Sequence, residues 1–107
     1  MEFIYIAGPM RGKDDWNREA FARASERLSG KGWAVYDPVE ISEMYGTPEE
    51  IELDPELLQQ VMKVELAFVA KSDAIYLLEG WEKSVGAKRE LMVALGCGLK
   101  VILEGEE

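Results

Sequence analysis

The sequence predicts an α/β domain, a mostly parallel sheet with helices on both faces. Three observations predict it. Short apolar runs rich in strand formers fall at 3–7, 33–36, 73–78 and 100–103, and segments with helical spacing separate them. Each run is joined to the next by a stretch long enough to cross over, which favours parallel pairing. The chain has 107 residues, 48% of them apolar, enough for one core and one domain.

Residues 3–7 (Phe-Ile-Tyr-Ile-Ala) read as a buried strand ended by Gly8-Pro9. Asp14 or Asp15 is expected to cap a helix whose apolar face is Trp16, Ala20, Phe21, Ala24 and Leu28, with Gly30 and Gly32 as its stop. Residues 33–36 read as a second strand ended by Asp37-Pro38. Residues 37–56 carry eight acids and no base; they read as a solvated surface connection or as a lid. Asp54-Pro55 starts a helix to about residue 71, with Asp as cap and Pro in the first turn. Its stripe is Leu57, Val61, Val64 and Phe68, and Glu65 falls within it. Residues 73–78 form the third strand. Ser84 caps a helix ending at Gly96 or Gly98, 100–103 form the fourth strand, and Glu104–Glu107 are expected to fray.

Composition excludes several chemistries. Histidine is absent, so no Ser-His-Asp triad, Cys-His pair or His-ligated metal site can form. The single cysteine, Cys97, cannot make an internal disulfide and fits a reducing, cytoplasmic setting. The net charge of −9 argues against nucleic-acid polymers and anionic membranes as partners. No run of about 18 apolar residues exists, and the N-terminus lacks the basic start of a signal peptide. Chemistry without a cofactor then rests on carboxylates, hydroxyls, Lys or Arg.

In such sheets ligands bind beyond the carboxyl ends of the strands, here Gly8–Gly12, Asp37-Pro38 and Glu79–Ser84. Gly8-Pro9-Met10-Arg11-Gly12 joins a strand to a helix start and reads as an anion loop or as a plain turn with a surface Arg. Six of the twelve bases lie between 11 and 31. The loop is neither a Walker A nor a GxGxxG pattern. Glu65 on an apolar stripe is a buried ion pair, a stripe-edge residue or a carboxyl held protonated for acid catalysis. Glu90 lies near the second turn of the helix capped by Ser84; it is a site carboxylate or an exposed partner of Lys88 or Arg89. Gly86 on its side of that helix weakens the helix and suits close approach to the backbone. Two carboxylates facing one cleft suffice to cut a glycosidic bond without His or metal.

Ile4 to Gly12, Ser72 to Glu90 and Ala94-Leu95-Gly96 together resemble the nucleoside 2-deoxyribosyltransferase superfamily, and among its branches a short uncharacterised phage and prophage family. The likeness covers most of the chain and is weakest at 39–56. It implies a flavodoxin-like (Rossmann-like) three-layer sandwich with a four-stranded parallel sheet. It implies an N-glycosidic bond hydrolase or transferase acting on a nucleoside or nucleoside 5′-monophosphate, with no cofactor. In it Glu90 is the nucleophile, Tyr5 orients Glu90, and Glu65 falls where the related hydrolases have an aspartate that helps the base depart. Gly8, Pro9 and Arg11 match the loop holding the 5′ end, and Ser84 and Gly86 a second phosphate- or sugar-contacting turn. Asp37, at the carboxyl end of its strand, joins the substrate-facing set. Pro9 stands where the hydrolases often have Ser, removing one N–H and one hydroxyl. Glu65 is one methylene longer than Asp, and Gly80-Trp81-Glu82 differs from the hydrolases' loop. Trp81 stacks on a base or packs against a core or subunit. The alternative function is a non-catalytic module that senses or sequesters a nucleotide. Apolar stretches at Leu57-Leu58, Val61-Met62 and Leu91-Met92-Val93 predict a homodimer or higher homo-oligomer.

Overall fold

The structure is a computed structural model describing residues 1–107. Four strands, β1 (Phe3–Ala7), β2 (Ala34–Tyr36), β3 (Ala74–Leu77) and β4 (Lys100–Leu103), form one sheet in the order β2-β1-β3-β4. All pairs are parallel, with Ile4 opposite Val35 and Ala74, and Ala74 opposite Lys100. Five helices accompany them: α1 (Arg18–Gly30), α2 (Pro38–Glu43), α3 (Pro48–Leu53), α4 (Pro55–Ala70) and α5 (Val85–Gly96). This is the flavodoxin-like three-layer sandwich. No helix is long and apolar enough to cross a membrane.

The two-residue alternation of β1 and β3 divides the core. Ile4, Ile6, Tyr76 and Leu78 face α1 and pack with Phe21 and Leu28. Tyr5, Ala7, Ile75 and Leu77 face α5 and pack with Ala87 and Ala94. α4 serves both faces, Val61 on the first and Val69 on the second.

The expected caps at Asp54 and Ser84 form. Asp54 accepts from the Glu56 and Leu57 N–H groups, and Ser84 from the Ala87 N–H at 3.1 Å. Three expectations are corrected. Residues 37–56 are not a loop: α2 and α3 occupy them, each with Pro in its first turn. Asp37 caps α2 and a Thr47–Glu50 capping box starts α3. Val39, Ile41 and Ile51 anchor them in the core, so the acids are the outer faces of two short amphipathic helices.

Neither Asp14 nor Asp15 caps α1. Residues 14–17 form a separate tight turn, with Asp15, Trp16 and Asn17 at φ 49°, 56° and 60°, and α1 begins at Arg18. Three successive left-handed residues cost energy, roughly 1–2 kcal/mol each. Complete burial of the Trp16 ring in the core on the α1 side offsets that cost. The tail does not fray. Tyr76 donates to Glu107 at 2.5 Å, Glu104 accepts from the Glu79 N–H at 2.7 Å, and Arg27 pairs with Glu104 at 3.0 Å.

Candidate functional site

At the carboxyl ends of β1 and β3 the chain departs to opposite faces of the sheet, α1 to one and α5 to the other. Such a divergence leaves a crevice. A cavity of about 690 Å³ lies there, walled by the segment after β1, the segment after β3, the start of α5 and the middle of α4. Of the residues expected at the site, Gly8, Pro9, Arg11, Glu65, Ser84, Gly86 and Glu90 line it.

The floor is built by β1 and α5. Tyr5 points to the α5 face and is fully buried, and its hydroxyl donates to Oε2 of Glu90 at 2.5 Å. Tyr5 thus sits behind Glu90 rather than on the cavity wall. Burial raises its pKa well above the ordinary phenol value, and the neighbouring Glu90 and Glu65 charges add to the rise, so it stays a neutral donor. Glu90 is itself buried, which removes the option of a surface ion pair with Lys88 or Arg89. Burial pushes its carboxyl up to about 8, and repulsion from Glu65 acts in the same direction. The Tyr5 hydrogen bond and the Arg11 guanidinium oppose the rise.

The opposite wall holds Glu65, only 5% exposed. Ser42 from α2, completely buried, donates to Oε2 of Glu65 at 2.7 Å. Arg11 approaches both carboxyl oxygens with one nitrogen, Nη2, at 3.4 and 3.5 Å. Burial raises the Glu65 pKa, while Arg11 and Ser42 pull it down. Of the expectations for this residue the structure shows the buried ion pair, with a pKa pushed upward by burial. Because Glu65 and Glu90 repel each other, their titrations are coupled, as expected of two carboxyls sharing one cavity.

Arg11 is placed by the irregular segment after β1. Its guanidinium lies 5.2 Å from the Trp16 ring centroid, so the left-handed turn that buries Trp16 also supplies the platform for Arg11. Asn17 donates to the Pro9 carbonyl at 3.0 Å and closes the segment on itself. Gly8 is required by packing. A Cβ there would lie 2.7 Å from Leu78 Cβ, where β1 passes the end of β3.

The start of α5 is different. Ser84 satisfies the Ala87 N–H, and the Val85 and Gly86 N–H groups have no intrahelical acceptor. A Cβ on Gly86 would meet nothing closer than Ser84 Oγ at 3.9 Å. The protein's own packing therefore does not demand glycine there, and the space over Gly86 is cavity. Lys13, Lys83 and Arg89 also line the cavity, so Arg11 is one of four bases at its walls in a chain of net charge −9.

Two expected residues lie elsewhere. Asp37 caps α2 by accepting from the Val39 N–H at 2.8 Å. It borders a separate groove beside β2, and burial pushes its carboxyl up to about 6. Trp81 packs half-buried against the core on the α5 side, so packing is its role within this chain. The sequence reading missed Ser42, Lys83 and Arg89. Arg89 follows Gly86 by three residues and shares its helix face, a spacing that could have revealed it. Ser42 had no local signal, because its helix was not anticipated.

No curated protein matches this chain. A family model does match, over residues 2–103, and it is described as a domain of unknown function, DUF4406. With nearly its whole length matched, the chain belongs to the DUF4406 family.

Proposed function

We propose that this cavity cleaves the N-glycosidic bond of a nucleoside or nucleoside 5′-monophosphate, as a hydrolase or a transferase related to the nucleoside 2-deoxyribosyltransferase superfamily. One observation carries the reading: Glu90 lies at the floor of a cavity with the Tyr5 hydroxyl 2.5 Å from its Oε2, and a second buried carboxyl, Glu65, stands in the same cavity. Two such carboxyls are the equipment of a retaining glycosidic mechanism. The Glu90 carboxylate attacks C1′. The C1′–N bond breaks with its electron pair leaving on the base, and Glu65 gives that nitrogen a proton. The Glu65 carboxylate then takes a proton from water, or from an acceptor base, which attacks C1′ as the Glu90–C1′ bond breaks and Glu90 leaves as a carboxylate. The walls bearing Arg11, Lys83 and Arg89, with the free N–H groups at the start of α5, suit a 5′-phosphate.

The experiment is incubation with a panel of nucleosides and nucleoside 5′-monophosphates, scored by release of free base. Release that falls on the order of 100- to 10,000-fold in Glu65→Gln, and at least as far in Glu90→Gln, supports the reading. A folded protein that releases no base from any member of the panel overturns it.

One observation favours a second reading, a nucleotide-binding module without catalysis. Burial pushes the Glu90 carboxyl up to about 8, which favours its neutral form, and a neutral carboxyl is a poor nucleophile. Tight nucleotide binding without turnover, unchanged in Glu90→Gln, would select that reading. We also propose that the chain acts in the cytoplasm, as a phage or prophage product, and self-associates. Val85, Met92 and Leu95 of α5 are more than half exposed and suit a second copy. A monomeric mass at micromolar concentration by light scattering removes the last point.

A further inference from the structure

We propose that Glu52 of α3 is a positioning residue for the cavity: its carboxylate holds the Trp16 turn, and through that turn it keeps Arg11 against Glu65. That role serves the glycosidase reading and rests on it, although its test does not need turnover.

Glu52 is exposed and does not line the cavity. Its Oε1 accepts twice, from the Trp16 indole Nε1–H and from the Gly12 N–H, each at 3.3 Å. Gly12 is the residue after Arg11, and the Trp16 ring lies beneath the Arg11 guanidinium. One oxygen therefore grips the chain next to Arg11 and the platform under it. Trp16 is completely buried, a buried indole N–H needs an acceptor, and Glu52 supplies it. The turn also needs tethers. Gly12, Asp15, Trp16 and Asn17 all have positive φ, and strained backbone persists only where its surroundings hold it. Asn17 ties the turn to the Pro9 carbonyl, and Glu52 ties it to α3. Ile51, completely buried, fixes α3 in the core directly beside Glu52.

Arg11 has weak restraints of its own. A guanidinium paired with a carboxylate normally makes bonds of about 2.7–2.9 Å. Here Nη2 lies 3.4 and 3.5 Å from the Glu65 oxygens and 3.5 Å from Ser42 Oγ, and Nη1 has no hydrogen-bond partner. The Trp16 ring, 5.2 Å away, therefore decides much of where Arg11 stands. Without Glu52 the indole N–H is unpaired and the turn loses a tether. The turn relaxes, and Arg11 moves off Glu65 with its platform.

The carboxyls report this displacement by its sign. Arg11 lowers the pKa of both Glu65 and Glu90, so its departure raises both. Loss of the Glu52 charge itself acts the other way, because one anion fewer makes neighbouring carboxyls easier to ionise. The other groups facing the pair stay in place: Ser42 from α2, Tyr5 from β1, and Lys13, Lys83 and Arg89 on the cavity walls.

The test is carbon-13 NMR of the glutamate side-chain carboxyls, titrated from pH 4 to 10 and assigned with Glu65→Gln and Glu90→Gln. Arg11→Met should raise the two midpoints of the Glu65–Glu90 pair by about one pH unit. Glu52→Ala should raise them in the same direction, and should add nothing in the Arg11→Met background. Glu52→Gln, whose amide oxygen still accepts, should keep the Trp16 indole signal and show no rise. In the wild type the Trp16 ring should shift the Arg11 side-chain protons upfield. Unchanged or lowered midpoints in Glu52→Ala, a further rise on top of Arg11→Met, or a rise in Glu52→Gln equal to that in Glu52→Ala would each overturn the proposal. So would wild-type Arg11 protons free of any ring shift, which needs no variant to fold. Base release should slow in Glu52→Ala and be no slower in the double variant than in Arg11→Met. Unslowed release despite raised midpoints overturns the role of Glu52 in the reaction. Raised midpoints in a protein that releases no base from the panel overturn the glycosidase reading alone.

Discussion

The two segments that close the cavity solve the same problem in opposite ways. After β3, the chain turns at Gly80, makes one short turn over Trp81–Lys83 and enters α5 through a Ser84 cap. The helix start is regular, and its unused N–H groups and bare Gly86 face the cavity. After β1, the chain passes Pro9, makes a left-handed turn at Asp15–Asn17 and enters α1 without a side-chain cap. Its helix begins ten residues beyond Gly8, so side chains rather than helix N–H groups meet the cavity from this wall. The α5 wall presents backbone donors, and the β1 wall presents Arg11, a side-chain cation set against Glu65 and over the Trp16 ring. A strained segment is retained where it positions a functional side chain, and here it seats Trp16 beneath Arg11.

Substitutions can break this contrast. The largest effect is expected at Glu90, the proposed nucleophile on the α5 wall. Glu90→Gln should abolish base release, with nucleotide binding retained, as measured by turnover and calorimetry on the same sample. The same variant has a pH signature. Folded Glu90 holds its proton up to about pH 8, whereas an unfolded chain releases it near 4.5. Between those values the folded state binds more protons, so stability is greatest at the acid end and falls as pH rises toward 8. Glu65, also raised, contributes in the same direction. Thermal melts from pH 5 to 9 should show this decline in the wild type and a flatter profile in Glu90→Gln. An equal slope in both would rule out Glu90 as its source.

The two glycines sharpen the contrast further. Gly8→Ala forces a Cβ to 2.7 Å from Leu78 Cβ, and overpacking of this kind costs about 1–3 kcal/mol, readable as a lower midpoint in urea. Gly86→Ala, smallest in size, should do the reverse. An exposed Gly in a helix gives up roughly 0.5–1 kcal/mol relative to Ala, so the variant should be more stable. Its new methyl would stand in the cavity and weaken sulfate or nucleotide binding by about tenfold, or 1.4 kcal/mol. Added stability with unchanged binding would show that the space over Gly86 is not used.

Local pattern made much of this legible. The strand runs, the Asp54-Pro55 and Ser84 helix starts and the intrusion of Glu65 into an apolar stripe depend on neighbours within a few positions, where spacing and propensity act. The helices in 37–56 were hidden because each spans only six residues, too short for periodicity to outweigh a run of acids. Trp16 suited the apolar face of α1 equally well, and only packing against the core on that side placed it in a left-handed turn instead.

The sequence by itself determined a His-free α/β domain with four parallel strands, and with it the end of the sheet where a cavity must lie. Strand alternation and crossover length are local properties, and they suffice for that. Only the tertiary structure decided which polar groups meet. Tyr5 and Glu90 are 85 positions apart, and Ser42 and Glu65 are 23 apart on separate helices. Their contacts, and the burial that raises both glutamates, depend on desolvation and distance. Those exist only once the sheet, α2, α4 and α5 have closed around one volume.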